Sequence, residues 1–491
     1  MSDVESNHPT KDPQPALAND AWAAEVNPLN LPGPDHPIAL ESPASIAILG
    51  SGPMGLEAAI YGRFLGYQVA VFDRGEVAEN VNDWAHVRMF TPFSMLHSRI
   101  GRSAIATQDP EHVFPNEDDL VTGQQWRDMY LLGLANTDLL RSSLRTQSEV
   151  LSVSRSRFRK HREIQSDTRT QDAFTVVWLD RESNVEQSDE FDFVIDATGS
   201  YGNSNGIGPG GAPALGERDL RRRLEDNACL QQRLFVTVPN FKQAQDHWKG
   251  KATLVLGDGF SAATSLVGLN EVLGDPAKPD GQVVWLSDKT VGPNGPLPEY
   301  PSDPLPSRDQ LSRQVNRIAV NFRRESLDCL EAGFNFVSNS NVTSIQWNPA
   351  EDKFQVTVRT WVDVDWSAVE DDFAEPDDQE FRLQFDRVII NVGYRGDNEL
   401  FRELQMHLCY ATEGPMALAT ALVGSSGDCM TAVPPGVMTA RTTEGRFFLL
   451  GIKSYGRLSN FLYRNGLDQV RDIFRWIVGR SDLDLNKTLK F

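Results

Sequence analysis

Two stretches, roughly two hundred residues apart, carry the residue types suited to holding an anion with backbone alone. The first is Gly50-Ser51-Gly52-Pro53-Met54-Gly55. The second is Gly257-Asp258-Gly259-Phe260-Ser261-Ala262. Each follows a strand-length apolar run (46–49 and 252–256) and opens a helix-like sequence. In that context one glycine makes the turn and the next lets the backbone approach a pyrophosphate. The helix start then offers its N–H groups to the anion. One such turn predicts a nucleotide; two in one chain predict two nucleotides held to exchange electrons.

The next strand in each unit supplies the group that meets the ribose. Asp73, followed by Arg74, closes Val69-Ala70-Val71-Phe72 and lies 18 residues past Gly55, the offset expected of a ribose-binding acid. The second unit ends Trp285-Leu286-Ser287-Asp288-Lys289. Ser287 and Lys289 argue for a 2′-phosphate, hence NADPH, while Asp288 argues for NADH. The reading leans to NADPH and leaves NADH open.

The elements that must position these groups repeat. With 491 residues the chain is long enough for two or three domains. The segment 43–205 is expected to form one dinucleotide unit and 206–395 a second. Residues 396–491 return a strand at 446–451 and an amphipathic helix near 467–478 to the first. The fold class is therefore α/β, with two Rossmann-like domains, the second inserted in the first. Strands are predicted at 149–153, 174–179, 282–287, 334–337 and 354–360, and the runs 191–199 and 381–392 each read as one strand ending in glycine. Residues 122–136 have a helical pattern. Residues 1–42 read as a polar, proline-dotted tail and 363–380 as a solvated acidic loop.

Composition excludes several classes. A net charge of −21 disfavours a nucleic-acid surface, and no apolar run approaches membrane-spanning length. The four cysteines, Cys229, Cys329, Cys409 and Cys429, form no C-x-x-C pair, so no disulfide framework or zinc site is expected. A reducing, cytoplasmic location follows as the expectation.

These turns, with Asp196-Ala197-Thr198-Gly199, Asn391-Val392-Gly393-Tyr394-Arg395 and the segment 445–451 with its helix, resemble the two-dinucleotide-binding-domain flavoproteins. That superfamily includes thioredoxin reductases and flavin-dependent monooxygenases, and the chain is most similar to the monooxygenase-like members. The resemblance spans roughly 45–479. It implies FAD on Gly50, Gly52, Pro53, Met54, Gly55, Asp73 and Arg74, with Arg88, Met89, Phe90 and Thr91 beside the isoalloxazine. The Val150 backbone would meet the adenine, and Thr198, Gly199 and Gly451 would close the site. Lys453 and Arg457 become candidate cations at the flavin's pyrimidine edge. NAD(P)H would lie on Gly257, Gly259, Phe260, Ser261, Ala262 and Lys289, near Gly393.

The chain also departs from its relatives. The redox C-x-x-C of thioredoxin reductases is missing. The F-x-G-x-x-x-H fingerprint of class B monooxygenases survives only as Phe241 and His247, with Gln243 in place of glycine. The implied activity is hydride transfer from NAD(P)H to FAD, followed by reaction with dioxygen and a small organic substrate. A reductase with a quinone, protein or small-molecule acceptor is the first alternative, and a non-enzymatic flavin sensor the second. His86 and His97 lie in predicted cofactor loops, but spacing assigns no general base.

Overall fold

A computed structural model of the chain describes residues 37–274, 280–300, 302–361, 378–423, 430 and 436–488. Most of the predicted tail and of the acidic loop, and Cys429, lie outside the described residues.

The first sheet begins with β1 (Ser45–Leu49), β2 (Gln68–Phe72) and β3 (Leu144–Arg145). An antiparallel meander of β4 (Ser148–Arg155), β5 (Phe174–Asp180) and β6 (Val185–Phe191) precedes β7 (Phe193–Asp196). The second sheet draws on β8 (Leu234–Phe235), β9 (Lys251–Leu256), β10 (Gly281–Leu286) and β11 (Gly333–Val337). Its own meander, β12 (Ser340–Asn348), β13 (Lys353–Thr360) and β14 (Gln379–Phe385), leads into β15 (Arg387–Ile390). Near the C-terminus β16 (Phe447–Leu449) pairs in parallel with β7.

The two sheets have matching orders, β3-β2-β1-β7-β16 and β11-β10-β9-β15-β8. Only the fifth strand differs in origin. It comes from after the second unit in one sheet and from before the glycine turn in the other. All pairs within both sheets are parallel, and the central strands are apolar on both faces because helices and meanders cover both sides.

The two long apolar runs do not remain single strands. A break at Asp192 separates β6 from β7, and one at Asp386 separates β14 from β15. The reason is the same in both units. Asp192 Oδ2 accepts from Ser45 N at the start of β1, and Asp386 Oδ2 accepts from Ala252 N near the start of β9, each at 2.8 Å. Each carboxylate leaves the ladder to satisfy the neighbouring strand's first donors. Strands β6 and β12 lack a clear apolar alternation in sequence: β6 is exposed along nearly all its length, and β12 carries a bulge between Val342 and Ser344.

The first glycine turn feeds helix Pro53–Phe64, which starts with proline where a missing N–H costs nothing. Its buried face meets the C-terminal helix Tyr463–Val478, with Tyr61 and Phe474 stacked at 5.0 Å. Burying a ring such as Phe474 stabilises by about 1.5–3 kcal/mol. The predicted 122–136 helix is interrupted by a π turn at Arg127–Leu131, which keeps Trp126, Tyr130 and Leu134 in the core.

Candidate functional site

In a parallel sheet every strand delivers its following loop to one edge. Here that edge of the first sheet gathers Gly50–Gly55 after β1, Asp73 after β2, Thr198 and Gly199 after β7, and Gly451 after β16. The matching edge of the second sheet gathers Gly257–Ala262, Ser287–Lys289 and Asn391–Gly393. The switch in strand order beside β1 and β9 opens the crevice where α/β sheets take ligands.

The turns have the required shape. Gly50 and Gly257 adopt φ of +98° and +108°, and a side chain at either would meet a neighbouring carbonyl, Ala197 O or Asn391 O. The middle glycines behave differently. Gly52 and Gly259 are extended, and a Cβ at either position would meet nothing within 4 Å. Neither following helix has a side-chain cap. The backbone is thus laid open at the position a pyrophosphate must approach, in front of a 12-residue and a 14-residue helix. Met54 and Ala262 are buried behind these openings; Pro53 is half-buried, and Ser261 is exposed.

The strand-end groups are already engaged. Asp73 Oδ2 accepts from Ser51 N at 2.6 Å and Ser51 Oγ at 2.7 Å, and Oδ1 accepts from Gly75 N at 3.0 Å. Arg74 reaches toward Gly202 in the loop after β7. Lys289 Nζ lies 2.8 Å from Asp258 Oδ1.

The loop expected beside the flavin bridges the two units. Phe90 meets Phe260 edge to face at 5.5 Å, so the first unit's loop touches the start of the second unit's helix. Met89 N donates to Val121 O at 2.9 Å, and the Arg88 guanidinium turns away to Leu120 O. Thr91 is half-buried next to them. Val150 packs with its side chain on the cluster containing Leu49, Phe72 and Trp178. A separate row of rings also links the two units. Tyr394 contacts Tyr201 at 5.1 Å, and Tyr201 faces Trp84 at 6.5 Å. Asn205 N ties this crossing to Gly393 O at 3.0 Å.

Three polar atoms at this junction are buried without a partner among the described residues: Trp84 Nε1, His86 Nε2 and Asn205 Oδ1. Burial holds the His86 pKa below its ordinary value, against backbone contacts with Pro239 and Val238. Burial, with Glu79 nearby, raises that of Asp83. Orphaned polar atoms where the two units meet are compatible with ligands that carry hydrogen-bonding ring edges.

Three expectations need correction. Lys453 does not face a flavin. Its Nζ lies 2.6 Å from Asp196 Oδ2 and 3.0 Å from Thr198 Oγ1, with no exposed side-chain surface on Lys453 or Asp196. An ammonium enclosed this way contacts no bound molecule. Thr198 is spent on the same pair, donating to Asp196 Oδ1 at 2.7 Å. Arg457 pairs instead with Glu413 at 2.8 Å on the surface. The Phe241/His247 remnant, degenerate in sequence, makes only structural contacts among the described residues. Phe241 packs on Trp248 at 4.8 Å, and His247 Nε2 sits between Gln232 O and Arg387 Nε, at the start of β15 and opposite the ligand edge. The sequence offered no sign of Asp258 or Asp196 as partners, because each is completed by a residue far along the chain.

Among the described residues no group of His, Cys, Asp and Glu could hold a metal ion, and no helix is long and apolar enough to cross a membrane. No protein-family model matches the sequence, and no curated protein does. Solved structures do. A bacillithiol disulfide reductase from Bacillus cereus matches with a TM-score of 0.53 at 16% identity, over 89% of this chain and 98% of that one. An FAD-bound cadaverine monooxygenase of desferrioxamine biosynthesis from Erwinia amylovora matches with 0.53 at 15%, over 89% and 94%. An ornithine N-hydroxylase from Kutzneria sp. 744, with FAD, NADP+ and L-ornithine, matches with 0.54 at 15%, over 88% and 98%. The chain shares with these structures a mixed α/β fold of two Rossmann-like domains.

Proposed function

We propose that this protein is an FAD-dependent oxidoreductase that takes hydride from NAD(P)H and uses it in monooxygenase-like chemistry on a small organic substrate. The observation that carries the reading is the pair of open, uncapped glycine turns on facing sheet edges, joined through Phe90 and Phe260. The likeness to an FAD-bound cadaverine monooxygenase and an ornithine N-hydroxylase supports the monooxygenase-like form.

FAD, when bound, supplies the two-electron chemistry. The chain's residues do the rest. The Gly52 and Gly259 backbones and their helix starts take the two pyrophosphates, and Asp73 receives the ribose of the first nucleotide. Phe90 and Phe260 hold the two crevices in contact and exclude water between them, as a hydride path requires. The crossing loop at 199–205 is fastened to Gly393 and Tyr394 and ties the two units together.

Anaerobic titration of the purified, FAD-loaded protein with NADH and NADPH tests this reading. At least one is expected to bleach the flavin spectrum. Subsequent oxygen uptake matched by oxygenated product supports the monooxygenase form; anaerobic turnover with an artificial acceptor and no oxygenation points to a reductase. Failure of both cofactors to bleach the flavin removes the proposal.

A further inference from the structure

The two turns use the same pair of groups in opposite order. In the first unit the strand end carries the carboxylate, Asp73, and the centre of the turn carries the hydroxyl, Ser51. In the second the centre of the turn carries the carboxylate, Asp258, and the strand end the hydroxyl, Ser287, which donates to Asp258 Oδ2 at 2.9 Å. Both crevices therefore hold one carboxylate between the turn and the next strand end. That is where a dinucleotide presents its adenosine ribose.

The charges around Asp258 are few. Lys289 Nζ meets Asp258 Oδ1, but the Lys289 side chain is 69% exposed and Asp258 only 13%. Water screens the lysine far more than the carboxylate. Asp288 adds a second, exposed acid. Arg323, beyond β11, is spent on the Val291 and Gly292 carbonyls and the Ser338 hydroxyl. The local field is negative and is set by the less screened group.

We infer that the second unit selects the dinucleotide without a 2′-phosphate, NADH over NADPH, and that Asp258 is the specificity-determining residue. The inference rests on the proposed nicotinamide role of this unit. A ribose 2′-hydroxyl donates to the Asp258 carboxylate; a 2′-phosphate brings like charge against it. On this inference Ser287 and Lys289, which from sequence argue for NADPH, are held by a carboxylate 29 positions before Ser287 and do not face a phosphate.

The test uses the full chain loaded with FAD. Calorimetric titration with NAD+ and NADP+ reads binding, and anaerobic flavin reduction by NADH and NADPH reads transfer. The wild type is expected to favour the non-phosphorylated cofactor by at least about tenfold in binding. Asp258→Asn is expected to shrink that ratio mainly by tightening NADP+. Asp258→Ser, which keeps a hydrogen-bonding group toward Ser287, should do the same. Lys289→Ala should leave the order unchanged. Equal or tighter NADP+ binding by the wild type overturns the inference while leaving the oxidoreductase reading intact. So does an unchanged ratio in both Asp258 variants with unaltered melting temperatures. If neither cofactor binds or bleaches the flavin, the nicotinamide role fails and the preference fails with it.

Discussion

Lys453 and Asp196 form a fully enclosed ion pair, 2.6 Å between Nζ and Oδ2, that joins the end of β7 to the segment after β16. The two residues lie 257 positions apart. The pair anchors the C-terminal segment to the first sheet beside the glycine edge, and Phe401 covers the ammonium with its ring at 5.3 Å.

Removing one partner leaves the other charged in a site with no water. Lys453→Met is expected to cost about 3–5 kcal/mol in urea unfolding. The double variant Lys453→Met with Asp196→Asn should recover part of that loss, because it removes the uncompensated charge. A double variant no more stable than Lys453→Met would show that packing, and not charge, dominates the site.

A second buried network gives a sharper contrast. Glu444 Oε1 accepts from Arg155 Nε at 2.7 Å and from Arg169 Nε at 3.0 Å, and all three side chains are buried. Burial, helped by the like charge of Arg169, pulls the Arg155 pKa down, and Glu444 works against that pull. Glu444→Gln should therefore destabilise by about 3–5 kcal/mol in guanidinium unfolding. Arg480→Ala, which breaks the Arg480–Asp482 pair between side chains 58% and 73% exposed, should leave the unfolding midpoint almost unchanged.

Much of this fold was legible because its signals are local. The glycine turns, the apolar strands β1, β9 and β10, and the Tyr463–Val478 helix each announce themselves within a dozen residues or so. What stayed hidden depends on distant partners. Lys453 is a candidate flavin-facing cation in sequence because nothing near it reveals Asp196, and the spacing of Phe241 and His247 says nothing about which sheet edge they occupy. The preference we infer for the second unit rests on the same kind of distant partner. A strand end examined alone shows Ser287 and Lys289, while the carboxylate between them comes from the preceding turn.

Acid stability should carry a histidine component. Burial first, and then Arg387, hold the folded His247 pKa below its ordinary 6.5, and burial does the same for His86. The unfolded chain thus binds more protons than the folded one between the folded value and 6.5. The histidine contribution is complete above that window and declines as pH falls through it. Chemical unfolding followed from about pH 7 to about pH 5.5 should show stability decreasing with pH, and His247→Asn should flatten the slope. An unchanged slope in that variant would assign the acid sensitivity to other groups.

The middle glycines separate binding from folding. Gly52 and Gly259 have ordinary extended backbones, and a Cβ at either position meets no protein atom within 4 Å. Gly52→Val and Gly259→Val should therefore melt within a few degrees of the wild type by circular dichroism. Gly50→Val and Gly257→Val should instead misfold, since each places a branched side chain at positive φ against a carbonyl. The ligand outcomes differ between the two open positions. Gly52→Val should purify with FAD content reduced by about tenfold or more, the added methyls standing where the pyrophosphate must approach. Gly259→Val should keep its FAD and lose dinucleotide binding, so its flavin stays yellow under anaerobic NADH yet bleaches with dithionite. If Gly259→Val is still reduced by NADH at the wild-type rate, the second turn is not where the hydride donor binds.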